Sequence, residues 1–290
     1  MKAYLILLVG VVSVSFASIF IRLAEAPPLV IAAYRLTIAS LILIPFASRK
    51  SMGSLKKLSK RDGLLILLSS VFIALHFGLW ITSLSYTSIA SSVILVTSHP
   101  AFVAVISYFL WSERLNKLTI GGIVVALIGI ILINYGGFTL GSRAIFGDLL
   151  ALVAAFAMGA YLIIGKQLRT RIDVLPYLTL IYSGAAVILL IATVSFGYSF
   201  TGYSPITYLW MVLLAIVPQL IGHSCLNLAV RLIPVTFVSV AILGEPVGAT
   251  ILGYLILGEP PTANEIVGGL LILTGIFTVL RQTPKYLGMR

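Results

Sequence analysis

Ionisable side chains lie deep inside apolar stretches of this sequence, among them Arg35, His99 and Glu245. Glu245 precedes Pro246 near the middle of residues 236–259, TFVSVAILGEPVGATILGYLILGE. His99 precedes Pro100 near the middle of residues 90–113, ASSVILVTSHPAFVAVISYFLWSE. A charge held in hydrocarbon costs several kcal/mol unless it is paired, hydrated or neutralised, so such residues mark substrate and ion pathways or structural pairs. Glu and His can carry protons and Arg can take an anion. Pro100 and Pro246 lack an N–H, which frees the carbonyls of Val96 and Ile242. In lipid those groups must find other partners or line a wet cavity, so both prolines are expected helix breaks that expose polar backbone at mid-depth.

Polar side chains elsewhere fall into helical stripes. His76 and Trp80 are four apart and share one face. Gln219, His223 and Asn227 form a second stripe, Ser15 and Ser18 with Arg22 a third, and Ser88, Ser92 and His99 a fourth. Polar stripes on apolar helices face protein or water rather than lipid. Together they predict a cavity lined by Ser15, Ser18, Arg35, His76, Trp80, Ser92, His99, Tyr161, Gln219, His223, Asn227 and Glu245, where Trp80 and Tyr161 supply aromatic faces. Each stripe taken singly also reads as glue between helices, and Arg35 also reads as a structural partner of Glu245. The enzyme patterns H-E-x-x-H and G-x-S-x-G are absent, and nothing calls for a metal or a cofactor.

The elements that must hold these residues are set by composition. Of the 290 residues, 60% are hydrophobic and 9% charged, and the mean hydropathy is +1.15. A soluble domain carries about a quarter charged residues, and a membrane β-barrel would alternate apolar and polar residues. The sequence does neither, which predicts an all-α polytopic membrane protein. About 20 apolar residues span the hydrocarbon, and ten such segments can be drawn: roughly 4–23, 29–48, 63–82, 88–111, 118–135, 147–165, 176–196, 206–229, 234–257 and 264–281. With the N-terminus in the cytoplasm, every Lys and Arg except Arg22, Arg35 and Arg143 falls on the cytoplasmic side, sixteen of the 19. This asymmetry predicts both termini inside. It also assigns the net charge of +11 to topology and an anionic leaflet, leaving no role for nucleic acid. The single Cys225 excludes an intrachain disulfide.

A shift of 146 positions lays Pro100 on Pro246, Tyr108 on Tyr254, Glu113 on Glu259, Gly122 on Gly268 and Gly129 on Gly275. Two related halves are predicted, 1–135 and 147–290. Five spans per half is an odd number, so the halves must enter the membrane from opposite sides as inverted repeats. His99 and Glu245 then occupy equivalent positions near the midplane axis, close enough to couple.

Ten spans in a 5+5 inverted repeat, Tyr34-Arg35-Leu36, Pro100 with Glu113, Gly244-Glu245-Pro246 with Gly258-Glu259, and the paired glycines resemble the drug/metabolite transporter superfamily and, within it, the EamA family. One departure is that Glu245-Pro246 becomes His99-Pro100 in the first half. The resemblance implies a secondary transporter of small metabolites or amino acids, export being the expected direction, working by alternating access in the plasma membrane. It also implies that spans 5 and 10 lie at the periphery. The partners expected are a small-molecule substrate, protons as the coupling ion and the lipid bilayer, with a homodimer as the assembly left open. A nucleotide-sugar type exchanger using Arg35 as an anion contact, and an intramembrane enzyme acting on lipid or polyprenyl substrates, remain the alternatives.

Overall fold

The computed structural model describes residues 2–50, 58–87, 92, 95–111, 115–133, 142–258 and 260–282. All regular structure among them is helical. The helices are α1 (Lys2–Leu23), α2 (Pro28–Lys50), α3 (Lys60–Ser83), α4 (His99–Trp111), α5 (Lys117–Ile133), α6 (Ser142–Leu168), α7 (Val174–Ser195), α8 (Pro205–Leu214), α9 (Ser224–Leu232), α10 (Val235–Ile242), α11 (Gly244–Leu252) and α12 (Ala263–Leu280). A π-helical stretch, Ala215–His223, joins α8 to α9, and a second, Gly253–Leu257, follows α11. Glu113 and Glu259, matched by the 146-residue shift, lie outside the described residues.

Helix starts follow local chemistry. Ser59 and Asp62 form a capping box at the start of α3, and Thr262 and Glu265 do the same for α12; each satisfies N–H groups that a helix leaves orphaned. Pro28 and Pro205 sit at the first position of α2 and α8, where a missing N–H costs nothing. Gly258 ends the second π-helical stretch with φ 70°, a left-handed conformation that Gly adopts without penalty.

Eight helical segments are long and apolar enough to cross a membrane, and two shorter apolar helices, His99–Leu110 and Lys117–Leu132, stand where spans 4 and 5 were drawn. The surface is inverted relative to a soluble protein. Leu8, Leu41, Phe46, Phe109, Ile191, Leu255 and Phe277 are exposed, while the largest fully buried side chains include Arg35, Arg169, Tyr161, Tyr177 and Tyr182. Apolar residues face outward and the polar inventory faces in, as lipid requires. The chain is a polytopic all-α membrane protein.

Packing joins the first part of the chain to the second. α3 lies along α6, α2 along α7, and α1 along the span built from α8, the π-helical stretch and α9. α5 lies along α12. The 18-residue window of α12 is 28% buried, against 44% or more in the seven other long spans, which puts this pair at the edge. Its backbones nearly touch: a Cβ on Gly275 would meet Gly122 O at 2.5 Å, and one on Gly129 would meet Gly268 O at 2.6 Å. Only glycine permits that approach.

Two spans are interrupted: one just ahead of Pro246, which the sequence reading named as a break, and one at Pro218, where it drew a continuous helix. The span of Glu245 stops at Ile242 and restarts at Gly244, so Pro246 sits in the first turn of α11, where it lacks nothing it needs. Pro100 occupies the first turn of α4 in the same way. The third proline, Pro218, lies inside the π-helical stretch. The sequence reading drew residues 206–229 as one uninterrupted span and gave Pro218 no weight. An interior proline removes an i→i−4 bond, and the wider π turn accommodates the mismatch.

Candidate functional site

Arg35 enters the bundle from the second turn of α2 and is 1% exposed. Its Nε donates to Gln219 Oε1 at 2.6 Å. Its guanidinium carbon lies 3.9 Å from the centroid of the Phe77 ring, a stabilising position for a cation withdrawn from water. The Nη1 group has no hydrogen-bond partner. The π-helical stretch supplies both Gln219 and His223 to this place, and His223 packs edge-on to Phe77 with centroids 5.2 Å apart.

A cavity of about 60 Å³ opens beside Arg35, with walls from Val14, Ala17, Ser18, His76, Phe77, Trp80, Val96, His99, Met158, His223, Ile242, Glu245, Pro246 and Ala249. That volume holds a few waters or a small polar head group. Glu245 is half-buried on its wall and lies in the first turn of α11, where the helix N-terminus favours a negative charge. No ion pair within 4 Å joins it to Arg35. His76 donates through Nδ1 to Ala154 O at 3.0 Å, which fixes its tautomer and leaves Nε2 as an acceptor. Its ring stacks on Trp80 at 6.0 Å and 19°. His99 donates through Nδ1 to Val96 O at 3.3 Å, so the ring takes the carbonyl that Pro100 frees. His99 Nε2, His223 Nδ1 and Trp80 Nε1 are buried without partners.

The cavity shares Ser18, Trp80, Pro246 and Ala249 with a wider vestibule of about 570 Å³, which reaches Arg22, Pro28, Ser85, Thr262 and Glu265 at the end of the bundle where α1 stops and α2 begins. The opposite end is filled. Arg169, 0% exposed, donates from Nε to Gly165 O at 3.1 Å and from Nη1 to Asn227 Oδ1. Its guanidinium lies 4.8 Å from the Tyr177 ring centroid. Tyr161 donates to the same Asn227 Oδ1 at 2.9 Å, and Tyr177 shares a hydrogen bond with Ser69 at 3.1 Å. Beyond this knot, Lys166 donates to Val230 O, and the pairs Arg171–Asp62 at 3.2 Å and Arg231–Asp173 at 2.9 Å tie the α6–α7 turn to α3 and α9.

Of the residues drawn from sequence, Ser18, Arg35, His76, Trp80, His99, His223, Glu245 and Pro246 meet at the cavity. Gln219 stands behind Arg35 as its acceptor. Tyr161 and Asn227 are not on its wall but in the filled end with Arg169. Ser15 donates to its own helix at Val11 O, 2.8 Å, and packs against Gly248. Ser92 bonds Ser83 at 2.6 Å. The sequence reading missed three participants. Phe77 and Met158 carry no signal that separates them from other core residues. Arg169 sat in the basic run from Lys166 to Arg171 and was assigned to a loop; the structure buries it.

Similarity to known proteins agrees with this architecture. The profile of the EamA-like transporter family matches residues 1–135 and 145–281. An uncharacterized transporter of Clostridium kluyveri is 26% identical over 247 residues, covering 82% of this chain and 78% of that protein. The uncharacterized transporter YoaV of Bacillus subtilis is 28% identical, covering 93% of this chain and 95% of its own length. The uncharacterized transporter YdfC of the same organism is 26% identical, covering 95% and 89%. A crystal structure of a protein 18% identical in sequence superposes with a TM-score of 0.83 over 98% of each chain, which shows a shared fold.

Proposed function

The chain belongs to the EamA-like transporter family and is a multi-pass membrane transporter, and from that premise we propose that it is a secondary transporter of small metabolites or amino acids that works by alternating access. The observation carrying this reading is the cavity around Arg35, His99 and Glu245, continuous with a vestibule at one end and stopped by the Arg169 knot at the other. A carrier needs a polar site at mid-depth and two closable ends. The family and the relatives point to a transporter rather than an enzyme.

The mechanism rests on ten spans in two inverted halves, 1–135 and 147–290. Their support is a reciprocity in packing. Gly122 meets Gly275, and Gly129 meets Gly268. The 146-residue shift turns the first contact into the second, as a two-fold axis in the membrane plane would. Phe77 and His223 are likewise equivalent under the shift and touch each other. In this reading the halves rock about the cavity, opening the vestibule end and the Arg169 end in turn. Both termini and the Arg169 end are read as cytoplasmic from the basic residues of the loops; export across the plasma membrane is the direction carried over from the family resemblance. Protons are the proposed coupling ion, exchanged by His99 and Glu245. The groups facing them are Arg35 from α2, His76 from α3 and His223 from the π-helical stretch.

Proteoliposomes under an imposed pH gradient test this. Gradient-driven flux of labelled amino acids should be lost in Glu245→Gln while substrate exchange without a gradient survives. If the gradient dependence is unchanged in both Glu245→Gln and His99→Gln, proton coupling by this pair is wrong. Cysteines at Ser54 and Gly202, with Cys225 replaced, should label only at Gly202 when an impermeant reagent meets intact cells; the reverse pattern overturns the orientation.

A further inference from the structure

Resting on the transporter reading, we propose that the π-helical stretch Ala215–His223 is the switch that opens the filled end. Closing one of its turns to α-helical pitch steps α9 by one residue and takes Asn227 off Arg169 and Tyr161. A π-helix is rare and found mostly as single turns, so a run of nine residues persists only where contacts outside the helix hold it. Those contacts stand at both ends. Toward the cavity, Gln219 Oε1 accepts from Arg35 Nε at 2.6 Å, and His223 lies edge-on to Phe77. Along the stretch, α1 passes so closely that a Cβ on Gly222 would meet Val14 Cγ1 at 2.7 Å and Val14 N at 3.1 Å. Toward the filled end, Asn227 Oδ1 accepts from Arg169 Nη1 and from Tyr161 at 2.9 Å. Its Nδ2 donates at 2.7 Å to the carbonyl of His223, the last π residue.

The amount of motion follows from helix geometry. A π turn closes on i→i+5 hydrogen bonds and an α turn on i→i+4, so each turn that reverts gives up one residue. Everything beyond it then moves by about 1.5 Å and turns by about 100°. Leu226 comes to the place Asn227 held, and Arg169 and Tyr161 face a side chain without an acceptor. The step falls on α9 and not on α8. Trp210 of α8 stacks on Phe20 at 5.7 Å and 24°. Tyr208 packs edge-on to Tyr34 and donates to Phe200 O at 3.2 Å. The far end of α9 is tied by the exposed Arg231–Asp173 pair and by Lys166 on Val230 O, and exposed pairs of this kind hold weakly. The other side chains of α9 up to Val230 are apolar or small: Ser224, Cys225, Leu226, Leu228, Ala229 and Val230. A step of one position therefore brings no charge into lipid. Gln219 rides on the same stretch, so a change at Arg35 reaches the plug around Arg169 without another moving part.

A disulfide can pin α9 in its present setting. A Cβ built on Gly10 of α1 lies 3.3 Å from Cys225 Cβ, close to the separation found in a disulfide, about 3.5–4.5 Å. The nearest atom, Leu226 Cδ2 at 3.0 Å, is the end of a flexible side chain. The test is amide hydrogen exchange of full-length Gly10→Cys protein in lipid nanodiscs, read by mass spectrometry with the native Cys225 either oxidised onto the new thiol or reduced. Exchange at residues 165–172 and 224–232 should be at least about tenfold slower in the oxidised form, the effect of holding one charge-assisted hydrogen bond. Pro218→Ala restores a backbone N–H and lets the stretch close as α-helix. It should speed exchange at the same residues, and the Gly10→Cys disulfide should cancel that gain. Oxidised and reduced forms that exchange alike, with the disulfide confirmed by mass, overturn the proposal. So does a gain from Pro218→Ala that survives the cross-link. Failure of the transporter reading looks different: neither form moves any labelled solute, while the exchange difference between them persists.

Discussion

Arg35 and Arg169 are the two bulkiest fully buried side chains in the bundle. Each lies against an aromatic ring, Phe77 or Tyr177, and each gives a hydrogen bond to a side-chain amide, Gln219 or Asn227, from the same broken span. The difference is what lies on the far side of the guanidinium. Beside Arg35 there is a cavity whose wall also carries Glu245; around Arg169 the space is filled by Tyr161, Tyr177, Asn227 and the backbone of its own helix. One set of residue types borders an open cavity inside the bundle and fills its other end. Enclosure decides between them, not the identity of the cation.

Substituting the two arginines separates these roles. Arg35→Gln has the largest expected effect. Removing one partner of a desolvated charge contact costs about 2–5 kcal/mol, so binding and flux should both fall by about a hundredfold, tenfold for each 1.4 kcal/mol. Arg169→Gln should act on the other quantity. It loosens a charge-assisted bond worth about 1.5–3 kcal/mol, which shifts the balance toward opening of the filled end. Ligand affinity in detergent should change little, while a cysteine placed at Met158 should label faster from the Arg169 side. If Arg169→Gln abolishes binding as completely as Arg35→Gln, the distinction between receptor and plug fails. Asp173→Asn is the smallest perturbation. The Arg231–Asp173 pair is exposed, with side-chain accessibilities of 44% and 72%, and such pairs contribute less than about 1 kcal/mol. Flux and unfolding temperature should stay near wild type. A loss comparable to that in Arg169→Gln would place the lock in the surface pairs instead.

Much of this was legible before any coordinates. The apolar runs gave the membrane class, and ionisable residues inside them gave Arg35, His99 and Glu245, because lipid makes a buried charge costly enough to be informative. The stripe His76/Trp80 held because an α-helix keeps residues four apart on one face. The stripe from Gln219 to Asn227 did not stay on one surface: Gln219 supports Arg35, His223 reaches the cavity and Asn227 joins the plug. The π turns at Pro218 change the angular step, and a periodicity argument assumes a constant one. Arg169 was hidden for a different reason. A cation in a basic run near a helix end looks the same in sequence whether it is solvated or folded back, and only the neighbours Tyr177 and Asn227, distant in the chain, reveal which.

The touching backbones of α5 and α12 have a mechanical consequence. Where side chains interleave, helices can slide by exchanging rotamers. At Gly122, Gly129 and Gly275 there are no rotamers to exchange, and the carbonyls of Gly275, Gly268 and Gly122 already occupy the places their Cβ atoms would need. The pair resists shear and behaves as a single stiff post. It stands at the rim of the bundle with Ile128, Leu270 and Phe277 turned outward, so lateral pressure from the surrounding lipid falls on the post and is borne there. The proline-broken spans beside the cavity are left as the compliant part of the frame.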